Sequence, residues 1–385
     1  MAIHWLRGYN FFYFSLFSIF LSFLPIYLRS QHITNTELGL ILGLGGFVGM
    51  LSQPIWGMIS DRFRSLKHTL VMLLLVSVGI GAALFQASDM ILLGVLTGLM
   101  YFFFMPTDPL VESLNYQSAQ RLNIPFGSIR MFGALGYAAS SLVAGVAIEY
   151  YGQGSYFALF MLYGVLALLL CLKTPEAPAV SKRMQLTDMK LFLKDKRTIM
   201  FFSLILILAI PHRMNDIFIG VYIQELGGTV SQVGIAWTVM TLSEVVVFAV
   251  SHRLIREGKE LAVIAWAAFF YALRFLLSSI MAAPIAVVGL QLLQSVSFVL
   301  FYAAAIQYLY RIIPPAWKAT GQTLLATLLF GISGVVSSTL GGWLFDQVGG
   351  RNVYLIMALL AGGGMVYSWA IHVKMKDQKT QKTSL

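Results

Sequence analysis

The chain of 385 residues is 58% hydrophobic, 14% aromatic and only 11% charged, whereas an average soluble domain has roughly 25% charged residues. The core of a water-soluble protein cannot bury that much apolar surface, so the composition excludes a soluble globular protein and predicts an integral membrane protein. The formal net charge of +10 would favour nucleic-acid binding in a soluble protein, but here the basic residues follow a membrane topology.

Apolar stretches follow one another along the chain, each close to the roughly 20 residues that a helix needs to cross ~30 Å of hydrocarbon. The twelve stretches are 5–28, 36–59, 68–87, 91–117, 127–150, 155–173, 199–223, 231–252, 261–281, 285–310, 319–344 and 352–373. They are continuous, whereas barrel strands alternate apolar and polar residues over segments of ~10. We therefore predict an all-α integral membrane fold of twelve transmembrane helices. The first stretch exceeds the core of a secretory signal and no small-residue cleavage site follows, so we expect a retained helix.

The basic residues are concentrated on alternate connections between these stretches. Of 26 Lys and Arg residues, 21 lie on the connections that include both termini and the segment 173–197, and only Arg29 and Arg351 lie on the other set. Because cytoplasmic loops carry the excess of Lys and Arg, we expect a multi-pass cell-membrane protein with both termini in the cytoplasm. An even number of spans satisfies this topology.

One long polar interruption divides the chain into two halves of six spans. Residues 174–197 have the composition of a solvated cytoplasmic linker, so we predict six-helix bundles at 1–173 and 198–374 and a cytoplasmic tail at 375–385. The halves resemble each other at an offset of 195–197 residues. Matching positions are Tyr27 and Tyr222, Gly39 and Gly234, Ser140-Ser141 and Ser337-Ser338, and the motifs Gly145-x-x-x-Glu149-x-x-Gly152 and Gly342-x-x-x-Asp346-x-x-Gly349. A parallel repeat of this kind is typical of a large transporter class that binds substrate between its halves.

The second span ends in Gly57-x-x-x-Asp61-Arg62, followed by Arg64 and Lys67. Glycine allows helices to approach closely, and charged residues at a helix end can lock neighbouring helices at the membrane surface. The stretch resembles the loop signature of the major facilitator superfamily, although the usual glycine after Arg62 is absent. The resemblance implies a gating role for Gly57, Asp61 and Arg62, and an ordinary basic loop is the alternative.

Two opposite charges, Glu112 and Arg130, lie eighteen positions apart in otherwise apolar stretches. An ionised side chain at membrane depth costs at least ~2.5–3.5 kcal/mol, so such residues usually face a partner or a watery cavity and mark a substrate or ion path. They therefore predict a transporter, and a buried structural ion pair is the alternative. Arginine favours the binding role because its fork of donors can hold a carboxylate or paired hydroxyls.

The segment 109–141 resembles the fourth and fifth spans of the lactose permease and phenylpropionate permease-like symporters. The shared features are Pro109 with an acid three positions later, Phe126-Gly127 and Arg130-Met131-Phe132-Gly133. In that family the acid and the arginine bind substrate hydroxyl or carboxylate groups, and an aromatic residue seven positions further stacks on a sugar ring. The resemblance implies these substrate-binding roles for Glu112, Arg130 and Tyr137. Asp108, one turn before Glu112, is a further substrate-site or protonatable candidate, or else a cap beside Pro109.

The C-terminal half adds Glu244 and Arg274, thirty residues apart, an interval that resembles the phenylpropionate permease-like group. In the lactose permease the matching acid and arginine belong to the proton-coupling and sugar site, which implies the same for this pair. A carboxylic acid in a low-dielectric site can carry a proton near neutral pH, so Glu244 is the leading candidate for the proton carrier. A static Glu244–Arg274 ion pair is the alternative.

The titratable residues that the lactose permease has in its tenth span are missing here. The aligned positions are Gln291, Gln294 and Ser297. Coupling must then use other groups or be absent. His212 and Asp216 lie one helical turn apart in the seventh span, and histidine titrates near neutral pH. We predict that both take part in proton coupling, and a hydrogen-bonded packing histidine is the alternative.

No zinc-ligand spacing, nucleophile elbow or phosphate-binding loop is present in the sequence, so we expect no enzymatic activity, metal or cofactor. The single Cys171 lies in an apolar helix and is interpreted as inert packing. The predicted function is proton-coupled uptake of a small organic solute, such as a sugar, a glycoside or an aromatic acid, by a monomer in the lipid bilayer, with no nucleic-acid partner. A proton-coupled exporter of drugs or sugars and a non-transporting membrane sensor are the alternatives.

Overall fold

The computed structural model describes residues 2–176, 195–314 and 318–383, and these described residues form helices without any strand. Eleven helices in these ranges are long and apolar enough to cross a membrane. They are α1 (Ile3–Ser30), α2 (Asn35–Phe63), α3 (Leu66–Leu84), α4 (Met90–Leu122), α5 (Gly127–Tyr151), α6 (Gly154–Cys171), α7 (Lys196–Glu225), α8 (Val230–Ser251), α9 (Glu260–Ile280), α10 (Pro284–Ile312) and α11 (Gly321–Lys374). The predicted all-α fold is confirmed, and the first ten predicted spans coincide with α1–α10.

The last helix is too long for one crossing. α11 contains 54 residues, about 81 Å at ~1.5 Å per residue, against ~30 Å of hydrocarbon. Gly349 interrupts it with φ 76° and ψ 159°, a backbone conformation that is essentially restricted to glycine. The predicted spans 319–344 and 352–373 lie on either side of this break. The structure therefore has eleven candidate helices in its described part where the sequence predicted twelve, and the difference is this pair.

Two helices that correspond in the repeat, α2 and α8, begin with the same cap. The Thr34 hydroxyl accepts a hydrogen bond from the Glu37 backbone N–H, and the Glu37 carboxylate accepts one from the Thr34 N–H at 2.8 Å. Thr229 and Gln232 repeat the arrangement in α8. Such a capping box satisfies two of the N–H groups that a helix start leaves without partners, so each helix begins directly after a short connection.

Several helices are distorted in their interiors. π-helical turns occur at Ile19–Phe23 in α1 and at Ser295–Val299 in α10. α4 is interrupted between Phe103 and Thr107, where Pro106 removes a backbone donor. Such distortions free backbone groups and are frequent at functional sites. The break in α4 produces a separate second segment, Thr107–Leu122, which carries Glu112.

Two helix pairs make the most extensive contacts between the halves. α2 packs on α11, and α5 packs on α8, and the internal repeat exchanges these two pairs. In each pair a glycine of one helix lies against the backbone of the other. These contacts are Gly39 with Ser338 and Gly342, and Gly234 with Ser141 and Gly145. A side chain at either glycine would collide with backbone atoms, so the close approach requires glycine.

These contacts lie at one end of the molecule, the end that contains the α1–α2, α5–α6 and α7–α8 connections, which we call the distal end. The proximal end is the opposite one and carries the α2–α3 connection.

Most of the predicted linker lies outside the described residues, because 177–194 are not described, so the division into two bundles stays a prediction. The backbone remains helical beyond the end of α11, to Thr383, in the segment predicted as a tail. Cys171 is buried.

Candidate functional site

Glu112 and Arg130 meet where α4 faces α5. Arg130 Nε lies 2.6 Å from Glu112 Oε1, and the Arg130 and Glu112 side chains are 40% and 32% exposed. The guanidinium lies over the Phe14 ring of α1, 4.1 Å from its centroid. A carboxylate and an aromatic face together fix the guanidinium plane, while the partial exposure leaves further donors accessible. The two charges are therefore paired but not sealed in the core.

Charges from the other half reach the same region. Glu244, on α8, lies within electrostatic range of Arg130 as well as of Arg274 and Asp216. Asp108 lies within range of Arg130, and its charge also acts on Glu112. The ionisable side chains predicted from the two halves thus lie close to one region between them, which we call the central site.

Tyr137 occupies the α5–α8 contact on the distal side of Arg130. Its hydroxyl lies 2.7 Å from the Ser22 hydroxyl, in the π-helical turn of α1, and its ring centroid lies 5.9 Å from that of Trp237. The indole N–H of Trp237 is buried without a hydrogen-bond partner among the described residues. Sequence reasoning missed Trp237, although it precedes Glu244 by the same seven positions that separate Arg130 from Tyr137.

His212 and Asp216 are brought together in α7 as the helical spacing predicted. His212 Nε2 lies 3.5 Å from Asp216 Oδ2, and the same oxygen accepts a hydrogen bond from Arg213 Nη1 at 3.0 Å. The His212 ring stacks on Phe298 of α10, with centroids 4.4 Å apart. His212 is 2% exposed, so it combines a packing role with a place in the ionic network. The two interpretations of this histidine are not exclusive.

Arg274 is completely buried in α9 and donates a hydrogen bond from Nη1 to the Oε1 of Gln294. Its Nε and Nη2 have no hydrogen-bond partner among the described residues. The Nε2 of Gln294 lies 3.4 Å from His212 Nδ1, so this amide connects Arg274 to the histidine. Sequence reasoning had set Gln294 aside because it does not titrate, but the structure makes it the link between two candidate coupling residues.

Glu244 and Arg274 do not form an ion pair within 4 Å, so the static pair considered as an alternative is absent from this state of the protein. Gln294 lies beside both side chains. A buried guanidinium with unpaired donors and an acid without a direct cationic partner are both costly to keep in a low-dielectric region. Of the other two residues aligned with the missing relay, Gln291 donates to the Val287 carbonyl and Ser297 to the Leu293 carbonyl.

The predicted gating residues lie apart from the central site, at the proximal end of α2. A methyl group at Gly57 would have no side chain and no other helix within 4 Å. Arg62 is exposed and Asp61 is partly exposed. The close helix contact that the motif suggested at Gly57 is therefore absent in this conformation, and the gating role stays a prediction.

Similarity to known proteins covers most of the chain. Residues 3–356 match the family model described as "MFS_1 like family". The chain is 26% identical over 353 residues to a maltose permease of Geobacillus stearothermophilus, covering 90% of each protein, and 26% identical over 370 residues to a probable 3-phenylpropionic acid transporter of Escherichia coli (strain K12), covering 94% and 95%. The fold matches a crystal structure of a mutant nucleoside transporter NupG with a TM-score of 0.87, at 16% identity and with coverage of 96% and 99%. The latter likeness concerns the fold alone. These relatives are transporters rather than enzymes.

Proposed function

We propose, from the premise that this chain belongs to the MFS_1 like family of major facilitator transporters, that it takes up a small organic solute together with a proton by alternating access. Membership makes the chain a multi-pass membrane transporter, not an enzyme. One observation carries the finer proposal: Glu112 and Arg130 from one half and Glu244 and Arg274 from the other converge on the central site. A site shared by two halves is the element that alternating access requires.

The proposed topology has twelve spans with both termini in the cytoplasm. The break at Gly349 supports two crossings within α11, because the segments on either side are each long enough to span ~30 Å. The excess of Lys and Arg on the proximal connections supports a cytoplasmic proximal end. With this orientation, the helix contacts between the halves close the outer, distal side.

Glu112, Arg130 and Tyr137, with Asp108 nearby, are proposed to bind the solute. Arg130 uses Nε to hold Glu112, and the two Nη groups of a guanidinium carry four further N–H donors. These can hold a carboxylate or a pair of hydroxyls, while Glu112 can accept a hydrogen bond from a hydroxyl. The Tyr137 ring, on the same helix face, offers an apolar surface for a sugar ring or an arene.

The solute class follows from this chemistry and from the relatives. One relative is named as a maltose permease and the other as a probable 3-phenylpropionic acid transporter, which points to a sugar or glycoside on one hand and an aromatic acid on the other. Two of the arginines at the central site, Arg130 and Arg274, favour an aromatic acid or a glycoside over a simple disaccharide, and Arg274 has donors without a hydrogen-bond partner among the described residues. A thermal-shift screen of the purified protein against sugars, nucleosides and aromatic acids discriminates between these classes.

Proton coupling is proposed to use Glu244, Arg274, His212 and Asp216. The central site holds three arginines and four carboxyl groups. They are Arg130, Arg213, Arg274, Asp108, Glu112, Asp216 and Glu244. Their formal charge of −1, when every group is ionised, is cancelled by a single proton. Because an uncompensated charge is costly at membrane depth, the solute-loaded site would move inward more readily with one proton on Glu244 than when fully ionised, and that proton would leave on the inner side before the empty site returns.

Uptake by the purified protein in proteoliposomes tests the proposal. We expect a solute found in the screen to accumulate when an inward proton gradient is imposed, and accumulation to vanish when a protonophore collapses the gradient. Solute movement only against the direction of proton entry would identify an exporter instead. Binding without any transport, in either direction, would identify a membrane sensor.

A further inference from the structure

The repeated motif Gly-x-x-x-acid-x-x-Gly is not used by the central site. Its acids are Glu149, near the distal end of α5, and Asp346, at the corresponding point of α11. Each follows by one helical turn the glycine, Gly145 or Gly342, that packs against the other half. Positions four apart lie on the same helix face, so both acids are directed toward the opposite half at the distal rim.

Asp346 binds the first turn of α2. Its Oδ1 accepts a hydrogen bond from the Asn35 N–H at 3.2 Å, and its Oδ2 accepts from the Thr36 N–H at 2.7 Å and from the Thr36 hydroxyl at 2.6 Å. Glu149 makes the corresponding contact with α8, because its Oε2 accepts from the Ser231 N–H at 2.9 Å. Thr36 and Ser231 are themselves 195 positions apart. The two halves are therefore joined by two equivalent carboxylate contacts.

The capping boxes explain why these backbone N–H groups are free to donate hydrogen bonds to the other half. Thr34 and Glu37 satisfy each other within α2, and Thr229 and Gln232 do so within α8. A capping box covers the N–H groups of the cap residue and of the third helical residue, but not those of the first two. Those are the amides that Asp346 and Glu149 use, and a helix N-terminus favours a negative charge there.

We propose that Asp346 and Glu149 form a paired latch that holds the distal end closed and must be released for that end to open. The inference goes beyond solute binding and rests on the proposed alternating access. Both contacts join the halves, so they exist only while the distal end is closed, and they give the closed state interactions that the open state lacks. The glycine contacts below them allow the helices to meet, and the carboxylates hold the ends.

The Asp346 contact and the Glu149 contact differ in strength. Asp346 accepts three hydrogen bonds and Glu149 one, and both residues are exposed to solvent. Exposure limits such interactions to a modest size. We expect Asp346→Ala to raise the ratio of open to closed molecules about tenfold and Glu149→Gln about threefold. The two contacts share no partner, so the double variant should raise it about thirtyfold.

Distances between spin labels at the distal end measure this ratio directly in the full-length protein. Ser88→Cys and Ala282→Cys place labels on exposed connections of the two halves, in a Cys171→Ala background that removes the single native cysteine. We expect Asp346→Ala, and more strongly the double variant with Glu149→Gln, to add a population at longer distance. The matched control is Glu37→Gln, which changes the capping residue of the same α2 start, removes no hydrogen bond to the other half, and relieves the repulsion between the Glu37 and Asp346 carboxylates, so it should add no population at longer distance.

An unchanged distance distribution in the double variant would overturn the latch, and so would an equal shift in the Glu37→Gln control. Size-exclusion profiles and thermal unfolding of each variant establish that the helices are intact. The distance measurement needs neither solute nor proton gradient, so it separates the two proposals. A shift in distances without any uptake would retain the latch and reject the symporter, and normal uptake without a shift would do the reverse.

Discussion

Removing the charge of Glu112 should weaken solute binding at least tenfold while leaving the fold nearly as stable as before. The Glu112–Arg130 pair is short, at 2.6 Å, but its side chains are 32% and 40% exposed. Pairs with this degree of exposure contribute about 0–1 kcal/mol to stability. A hydrogen bond between a charged group and a bound solute, by contrast, contributes ~1.5–3 kcal/mol, equivalent to roughly 10- to 150-fold in affinity. The two roles therefore predict effects of different size in different measurements.

We expect Glu112→Gln to weaken binding by at least tenfold and to lower the unfolding midpoint by no more than a few degrees. Binding is measured by thermal shift and by initial uptake rates in proteoliposomes, at equal amounts of inserted protein. The isosteric amide keeps the volume of the side chain, so a loss of packing does not contribute. Glu112→Asp is the matched control, because it retains the charge and should retain part of the binding.

A charge swap separates binding from a purely structural pair. In the double variant Glu112→Arg/Arg130→Glu, an ion pair can form again with its partners exchanged. If the pair only holds α4 against α5, the swap restores both stability and uptake. If solute binding requires a negative charge at position 112 and a positive charge at position 130, the swap restores stability but not uptake. Wild-type uptake by the swapped variant would refute the binding role of both residues.

Three further predictions concern the central site. Glu244→Gln cannot exchange a proton, so we expect solute counterflow to persist while accumulation driven by a proton gradient disappears; accumulation at the wild-type level would remove Glu244 from the coupling. Gln294→Leu leaves the buried Arg274 without its acceptor and should lower the free energy of unfolding by ~1.5–3 kcal/mol, measured by denaturant titration, whereas Gln294→Glu should retain the hydrogen bond and supplies the control. Trp237→Ala should weaken binding of an aromatic solute roughly tenfold, and Trp237→Phe should weaken it by less. The affinity is measured from the saturation of uptake with solute concentration, and equal affinity in the wild type and both variants would show that the ring facing Tyr137 does not contact solute.

The charged members of the central site were recognisable from the sequence because their cost in a membrane does not depend on where the helices lie. Glu112, Arg130, Glu244 and Arg274 are conspicuous in apolar stretches for this reason alone. The residues that these side chains contact were not recognisable from the sequence. The sequence left open a Glu244–Arg274 ion pair, and the structure instead gives Arg274 an amide acceptor, Gln294, from a different helix.

Neutral residues were the ones that the sequence did not assign to the central site. Trp237 and Gln294 are unremarkable in an apolar helix, since neither carries a charge that must be compensated. Their importance comes from what they face: Trp237 opposes Tyr137 of the other half, and Gln294 lies between Arg274 and His212. Contacts between residues 20 to 100 positions apart on different helices are created by helix packing, and no local pattern encodes them.

Composition and hydropathy by themselves determined the all-α membrane fold and the positions of the first ten spans, because desolvation of backbone and charge acts on each segment independently of its neighbours. Tertiary structure alone decided which faces meet. The repeat places Glu149 and Asp346 at corresponding positions of the sequence. Only the packing of α5 on α8 and of α11 on α2 brings each carboxylate to the start of a helix of the opposite half. The reason is physical: burial energies are properties of a segment, whereas directional hydrogen bonds depend on the relative position of two segments.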